Sequence, residues 1–148
     1  MLDLIIKNGS CYIDQDLKNQ DIAIKDGKIV SIGKVEEEAK EIYDAKGLTV
    51  LPGCIDTQTH FREPGSTDTE DLHSGSRAAV AGGITAVFEM PNTNPPTSTK
   101  KEFQRKLDLA KDRMYCNYAF YFGATAENAN ELADLKNLEG CCGIKLFA

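Results

Sequence analysis

Short apolar β-type runs alternate with amphipathic helical stretches from residue 51 onward, and this order constrains the fold more than any other feature. The β-type runs cover residues 51–57, 84–90, 114–122 and 143–147. Helical patterns lie between them at 70–81, after Thr99 and after Thr125, each of the two threonines being the expected N-cap. Strands joined by helical crossovers form parallel sheets with right-handed βαβ units. A doubly wound sheet and the first half of a (β/α)8 barrel, which takes about 250 residues when complete, both fit this order.

The first 51 residues have a different texture, with short β-type runs broken by Asn8-Gly9, Asp26-Gly27 and Gly47. The residues around Asp26-Gly27 alternate in polarity, which predicts a β-hairpin. We therefore predict two domains, a small β unit at 1–51 and an α/β unit at 52–148. Because no helix follows the fourth run, we expect the chain to break off after the fourth barrel strand of a longer protein.

Composition excludes several classes of function. The 148 residues carry 17 basic and 23 acidic side chains, a net charge of −6, so the basic surface of a nucleic-acid binder is missing. No apolar stretch approaches the ~18 residues of a membrane-spanning helix, and the N-terminus lacks a signal-peptide pattern. The five cysteines are odd in number and form no CxxC pair, which favours reduced packing residues. These features predict a cytoplasmic protein whose partner is a small molecule.

The two histidines differ in setting. His73 lies at the start of a predicted helix and is expected to be an ordinary, partly exposed side chain. His60 follows the first α/β strand, where positions 56, 58 and 60 share one face and place Asp56, Gln58 and His60 together. Ligand sites of α/β folds lie at this carboxyl end of the strands. A structural role for His60 remains open on these grounds alone.

Three ordered motifs resemble the dihydroorotases of the amidohydrolase superfamily. Residues 52–65 are similar to the metal-binding first barrel strand, Asp-x-His-x-His followed by Phe-Arg-x-Pro-Gly. Residues 82–85, leading to Met-Pro-Asn-Thr-Asn-Pro at 90–95, form the second motif. Residues 143–147 resemble the strand that bears a carboxylated lysine, and 1–51 resemble the small sandwich that precedes the barrel. The resemblance spans essentially the whole chain and implies the first half of a (β/α)8 barrel.

The resemblance implies zinc, one or two ions per full-length chain. His60 would be a nitrogen ligand, and Lys145, carboxylated on its amine, would bridge two metals. Zinc lowers the pKa of bound water toward ~7 and polarises a carbonyl, which is what hydrolysis of a cyclic amide requires. The alternative for Lys145 is a lysine that reaches solvent from the barrel end.

Arg62 and Asn92 are the substrate-binding residues that the resemblance implies. A guanidinium pairs bidentately with a carboxylate, such as that of dihydroorotate or carbamoyl aspartate. The alternatives are a surface ion pair between Arg62 and Glu63 or a nearby acid, and a turn role for Asn92. The implied activity is the reversible cyclisation of carbamoyl aspartate in pyrimidine synthesis, in an enzyme that could be a homodimer. The 148 residues alone should be inactive, because further ligands and a general base lie on later strands.

Gln58 departs from the family pattern, since it stands where the first metal-binding histidine is usual. A carboxamide oxygen is a weak zinc ligand beside an imidazole. Two alternatives therefore stand beside dihydroorotase: an impaired homologue acting as a scaffold, and a sister cyclic amidase such as an allantoinase or dihydropyrimidinase.

Overall fold

A computed structural model describes residues 1–147 and divides into two compact units, Met1–Pro52 and a second that starts at Gly53. The first unit holds five strands: β1 (Leu2–Ile13), β2 (Asp16–Lys25), β3 (Lys28–Gly33), β4 (Ala39–Asp44) and β5 (Thr49–Val50). They form one sheet in the order β3-β2-β1-β4, and β5 pairs with β1. Ile5, Ala23 and Val35 form its buried core.

The predicted hairpin is confirmed. Strands β2 and β3 pair antiparallel up to Lys25 and Lys28, and Asp26 and Gly27 between them have φ angles of 51° and 70°. Two consecutive positive φ angles are what a tight hairpin turn requires, and Asp-Gly adopts them readily. Strand β4, which pairs parallel with β1, was missed. It lies at the sheet edge with every residue from Lys40 to Asp44 exposed, so its sequence shows no buried face.

The second unit alternates strands and crossovers. It consists of β6 (Cys54–Thr59), α1 (Leu72–Ala81), β7 (Ile84–Glu89), α2 (Lys100–Ala110), β8 (Asn117–Gly123), a 3-10 segment (Ala129–Asn137) and β9 (Cys141–Lys145). The four strands form a parallel sheet in the order β6-β7-β8-β9. This confirms the predicted succession of βα units, the arrangement of the first half of a (β/α)8 barrel. None of the helices in the described chain is long and apolar enough to cross a membrane.

The third crossover differs from the prediction. It is a 3-10 segment preceded by Asn128, and Thr125 does not cap it. Instead, the Thr125 N–H donates to Asn128 Oδ1 at 2.8 Å, and the Asn128 amide nitrogen donates to the carbonyls of Ser98 and Gly123, each at 2.9 Å. Contacts with distant segments therefore fix this stretch, which a local capping pattern cannot reveal.

Helix α2 packs on the sheet through an apolar layer and one buried ion pair. The layer includes Val87, Phe103, Phe120, Phe122 and Leu135. Lys106 Nζ pairs with the carboxylate of Glu89, and both side chains are fully buried. The ammonium also donates to the Met90 carbonyl at 3.1 Å and lies 5.1 Å from the centroid of the Phe120 ring. Burial raises the pKa of Glu89 to about 7 and lowers that of Lys106, so desolvation weakens both charges.

Removing one partner of this pair should destabilise the fold more than removing both. We expect Glu89→Gln or Lys106→Met to lower the free energy of unfolding by about 3–5 kcal/mol, because each leaves an unpaired buried group. The Glu89→Leu/Lys106→Met double variant should be close to wild type. Urea denaturation measures all three free energies. Arg105→Ala, which breaks the exposed Arg105–Glu102 pair, is the control and should cost less than about 1 kcal/mol. Losses that simply add in the double variant would contradict this account.

Candidate functional site

The carboxyl ends of the four parallel strands are joined by backbone hydrogen bonds. The Met90 N–H donates to the Thr59 carbonyl at 2.9 Å, which ties the end of β7 to the end of β6. The Gly123 N–H donates to Thr97, and the Ala124 N–H donates to Lys145, both at 2.8 Å. The loops that carry the candidate residues therefore leave one continuous edge, the edge at which α/β folds hold their ligands.

His60 and Asn92 contact each other at this edge. Nδ1 of the imidazole lies 3.0 Å from the Asn92 side-chain oxygen. That oxygen can only accept, so the contact places the imidazole proton on Nδ1 and leaves the Nε2 lone pair available. Histidines that bind metals commonly have this arrangement, in which the second ring nitrogen donates to an amide or carboxylate oxygen. The geometry suits His60 to the ligand role expected of it, and it gives Asn92 an orienting contact that the sequence did not indicate.

Gln58 and Lys145 lie on different strands of the same sheet. Gln58 is exposed near the end of β6, and its N–H donates to Asp56 Oδ1 at 2.9 Å. Lys145 ends β9 in register with Gly123, with Nζ 5.0 Å from the Phe147 ring centroid. Over residues 1–147, no side-chain hydrogen bond or ion pair joins Lys145 to Gln58 or His60.

The residues described do not complete a zinc site. Zinc in a catalytic centre takes about three protein ligands, drawn from imidazole, thiolate and carboxylate. In the part of the chain that the structure covers, no three His, Cys, Asp or Glu side chains are grouped to hold a metal ion. Gln58 offers a weak amide oxygen, and Lys145 can coordinate only after carboxylation. The zinc ions and the modified lysine therefore remain predictions.

Arg62 is exposed, and its acidic neighbour is engaged elsewhere. Glu63 is buried and accepts from both terminal nitrogens of Arg113, at 2.8 and 3.0 Å. The alternative of an Arg62–Glu63 ion pair is therefore wrong. Within the described residues Arg62 has no ion-pair partner of any kind, and its charge is available to a ligand.

Sequence reasoning missed Glu63 and Arg113 as residues that shape the site. A charged residue in a turn beside proline is usually solvated, so nothing local marks Glu63 as buried. Its partner lies 50 residues away, beyond α2. Only the fold brings the two together.

The sequence profile described as "Amidohydrolase family" matches residues 49–141. The chain belongs to the amidohydrolase family. It is 42% identical over 146 residues to the allantoinase of Salmonella choleraesuis (strain SC-B67), and 41% identical to the allantoinase of Escherichia coli O1:K1 / APEC. Each alignment covers 98% of this chain and 32% of the relative. The chain thus spans about a third of the length of the curated relatives it matches.

Solved structures of this amidohydrolase's relatives agree in fold. The L-hydantoinase (dihydropyrimidinase) from Arthrobacter aurescens superposes with a TM-score of 0.88 at 32% identity, covering 97% of this chain and 32% of its own. The dihydropyrimidinase from Brevibacillus agri NCHU1002 gives 0.80 at 28% identity, with 95% and 32% covered. These relatives confirm the amidohydrolase resemblance and the half-barrel fold. Their names support a cyclic amidase and favour the sister-amidase alternative over dihydroorotase.

The tautomer of His60 provides a test of its contact with Asn92. In protein labelled with 15N-histidine, the nitrogen chemical shifts of His60 should report a proton on Nδ1. Asn92→Ala removes the acceptor, so we expect the proton to populate Nε2 as well. His73, whose Nε2 lies 3.2 Å from the Tyr115 hydroxyl, is the internal control and should not change. A wild-type His60 protonated on Nε2 alone would contradict the contact.

Proposed function

We propose that the protein to which this chain contributes hydrolyses an uncharged cyclic amide, a ring of the allantoin, hydantoin or dihydropyrimidine kind. The observation that carries the proposal is the 41–42% identity to allantoinases over 98% of the chain. The 0.88 TM-score with an L-hydantoinase supports it from the fold. In this reaction water adds across one ring C–N bond, the carbonyl carbon keeps the oxygen, and the nitrogen leaves protonated as part of an open-chain product.

The described residues would bind and orient the ring. Arg62 presents an unpaired guanidinium beside the strand ends, where it can donate to a ring carbonyl oxygen. Asn92 would hold the His60 imidazole with its Nε2 lone pair free. Members of the family generally use metal ions, and we propose zinc here. Because the described donors are incomplete, the remaining ligands would come from outside this chain.

Dihydroorotase is the second candidate, and the observation that favours it is Arg62. An exposed, unpaired guanidinium matches the ring carboxylate of dihydroorotate, for which neutral rings have no equivalent. A third candidate, an inactive scaffold, is favoured by the amide of Gln58 at a position where the resemblance places a metal ligand.

A substrate panel on the native-length, zinc-loaded protein separates the three candidates. We expect turnover of at least one neutral ring among allantoin, hydantoin and dihydrouracil, and much slower turnover of dihydroorotate. Arg62→Met should reduce kcat/KM for the neutral ring by less than about tenfold, since no ligand charge is left unpaired. Arg105→Met is the matched surface control.

Two other outcomes would redirect the assignment. Turnover of dihydroorotate alone, lost about 100-fold or more in Arg62→Met, would identify the charged substrate. No turnover of any ring by the zinc-loaded wild type would leave the scaffold.

Zinc content tests the metal independently of activity. We expect about one or two zinc ions per native-length chain, and a loss of zinc in His60→Ala, because an imidazole ligand is removed. His73→Ala should keep the wild-type content. Gln58→His should tighten zinc binding, because it replaces an amide oxygen with an imidazole nitrogen. A wild type that binds no zinc, measured by elemental analysis after dialysis, would contradict the assignment of His60.

A further inference from the structure

We propose that Arg113 is a positioning residue that, acting through Glu63, fixes the backbone on which Arg62 is presented. The consequence for substrate binding rests on the proposed function, whereas the placement of the loop does not. The supporting observations are the alternating burial of three consecutive residues, a saturated carboxylate, and a guanidinium held by two helices.

Burial alternates along the loop that follows β6. Phe61 is 8% exposed and Glu63 is 7% exposed, whereas Arg62 between them is exposed. Phe61 packs directly against α1, where a Cβ added to Gly75 would lie 2.6 Å from its ring. The backbone is thus anchored immediately on both sides of Arg62, and only the Arg62 side chain reaches outward.

The carboxylate of Glu63 is saturated by hydrogen bonds from two elements. The Leu72 N–H, at the start of α1, donates to Oε2 at 2.9 Å. Arg113 donates to Oε1 at 2.8 Å and to Oε2 at 3.0 Å, a bidentate pair that fixes direction as well as distance. These bonds satisfy the buried charge and leave it no reason to turn outward toward Arg62.

Arg113 is itself held in place. Its Nη1 donates to the Leu109 carbonyl in α2 at 2.9 Å, and its Nη2 lies 3.4 Å from Oδ2 of Asp71, the N-cap of α1. The two carboxylates raise the pKa of Arg113, Glu63 contributing most. Hydrogen bonds from Ser74, together with the charge of Arg113, lower the pKa of Asp71. One guanidinium therefore joins the end of α2, the start of α1 and the loop after β6.

The far side of the loop is fixed by the backbone. The Ser66 N–H donates to the Arg62 carbonyl at 2.8 Å, and the Asn94 N–H donates to the Pro64 carbonyl at 3.0 Å. The second bond ties this loop to the one that carries Asn92. Arg62 is thereby set relative to Asn92 and His60 without a contact of its own, which is how a preorganised binding residue avoids an ordering cost on binding.

Hydrogen–deuterium exchange on the native-length protein tests the placement directly. In Arg113→Gln we expect the amides of residues 62–70, which include Ser66, to exchange at least tenfold faster than in wild type. The amides of β8, in the sheet core, should change less than twofold. Arg113→Lys, which keeps the charge but loses the fork, should lie between the two. Arg105→Gln, from an exposed pair on α2, is the matched control and should leave both segments unchanged.

Kinetics on any ring that the wild type hydrolyses test the route through Arg62. We expect Arg113→Lys to raise KM about tenfold with kcat changed less than threefold. If Arg113 acts through Arg62, the Arg62→Met/Arg113→Lys double variant should be within twofold of Arg62→Met alone. Penalties that multiply would overturn the proposal. Equal acceleration of exchange in both segments, which is the sign of global destabilisation, would also overturn it, as would no change at 62–70 in Arg113→Gln and Arg113→Lys. Absence of turnover in the wild type would end the proposed function, and the exchange result would still decide the placement.

Discussion

Parallel pairing of β6, β7 and β8 is the constraint on which the candidate site depends. Parallel strands all end at one edge of the sheet, so loops distant in sequence must leave it side by side. His60 follows β6 and Asn92 follows β7, 32 residues later, yet their side chains are 3.0 Å apart. The Met90–Thr59 backbone bond sets this spacing before any side chain contributes. The site is thus a consequence of sheet topology, and the loops supply only the chemistry.

Helix α2 and the turn after it support both of these loops through buried charges. Lys106 reaches the Met90 carbonyl and the Glu89 carboxylate at the end of β7, while Arg113, seven residues later, holds Glu63 after β6. Apolar packing alone resists separation of helix and sheet but gives little direction. Charge-assisted hydrogen bonds add direction, at the cost of desolvating the ions. Both carboxylates lie close in sequence to a candidate ligand-contacting residue, so the costly contacts stand where precision is needed.

The sequence was a good guide wherever the signal is local. The Asp26-Gly27 turn, the Thr99 cap of α2 and the strand–helix alternation depend on residues close together, and all three are present in the structure. It failed where distant contacts decide, as in the 3-10 segment held by Asn128 and in edge strand β4. The candidate site divides in the same way. His60 could be singled out from its motif, whereas its contact with Asn92 and the burial of Glu63 required the fold.

Glu63 determines what Arg62 is free to bind. Two adjacent residues of opposite charge in an exposed turn would pair with each other, and Arg62 would then be neutralised. Because Arg113 and the Leu72 amide take up the Glu63 carboxylate, the cation next to it stays without a counter-ion within the described chain. A free guanidinium can accept a substrate carboxylate or donate to the carbonyl oxygens of a neutral ring. The same loop geometry therefore serves either class of cyclic amide, and the choice between them must come from the groups that face Arg62 across the ring.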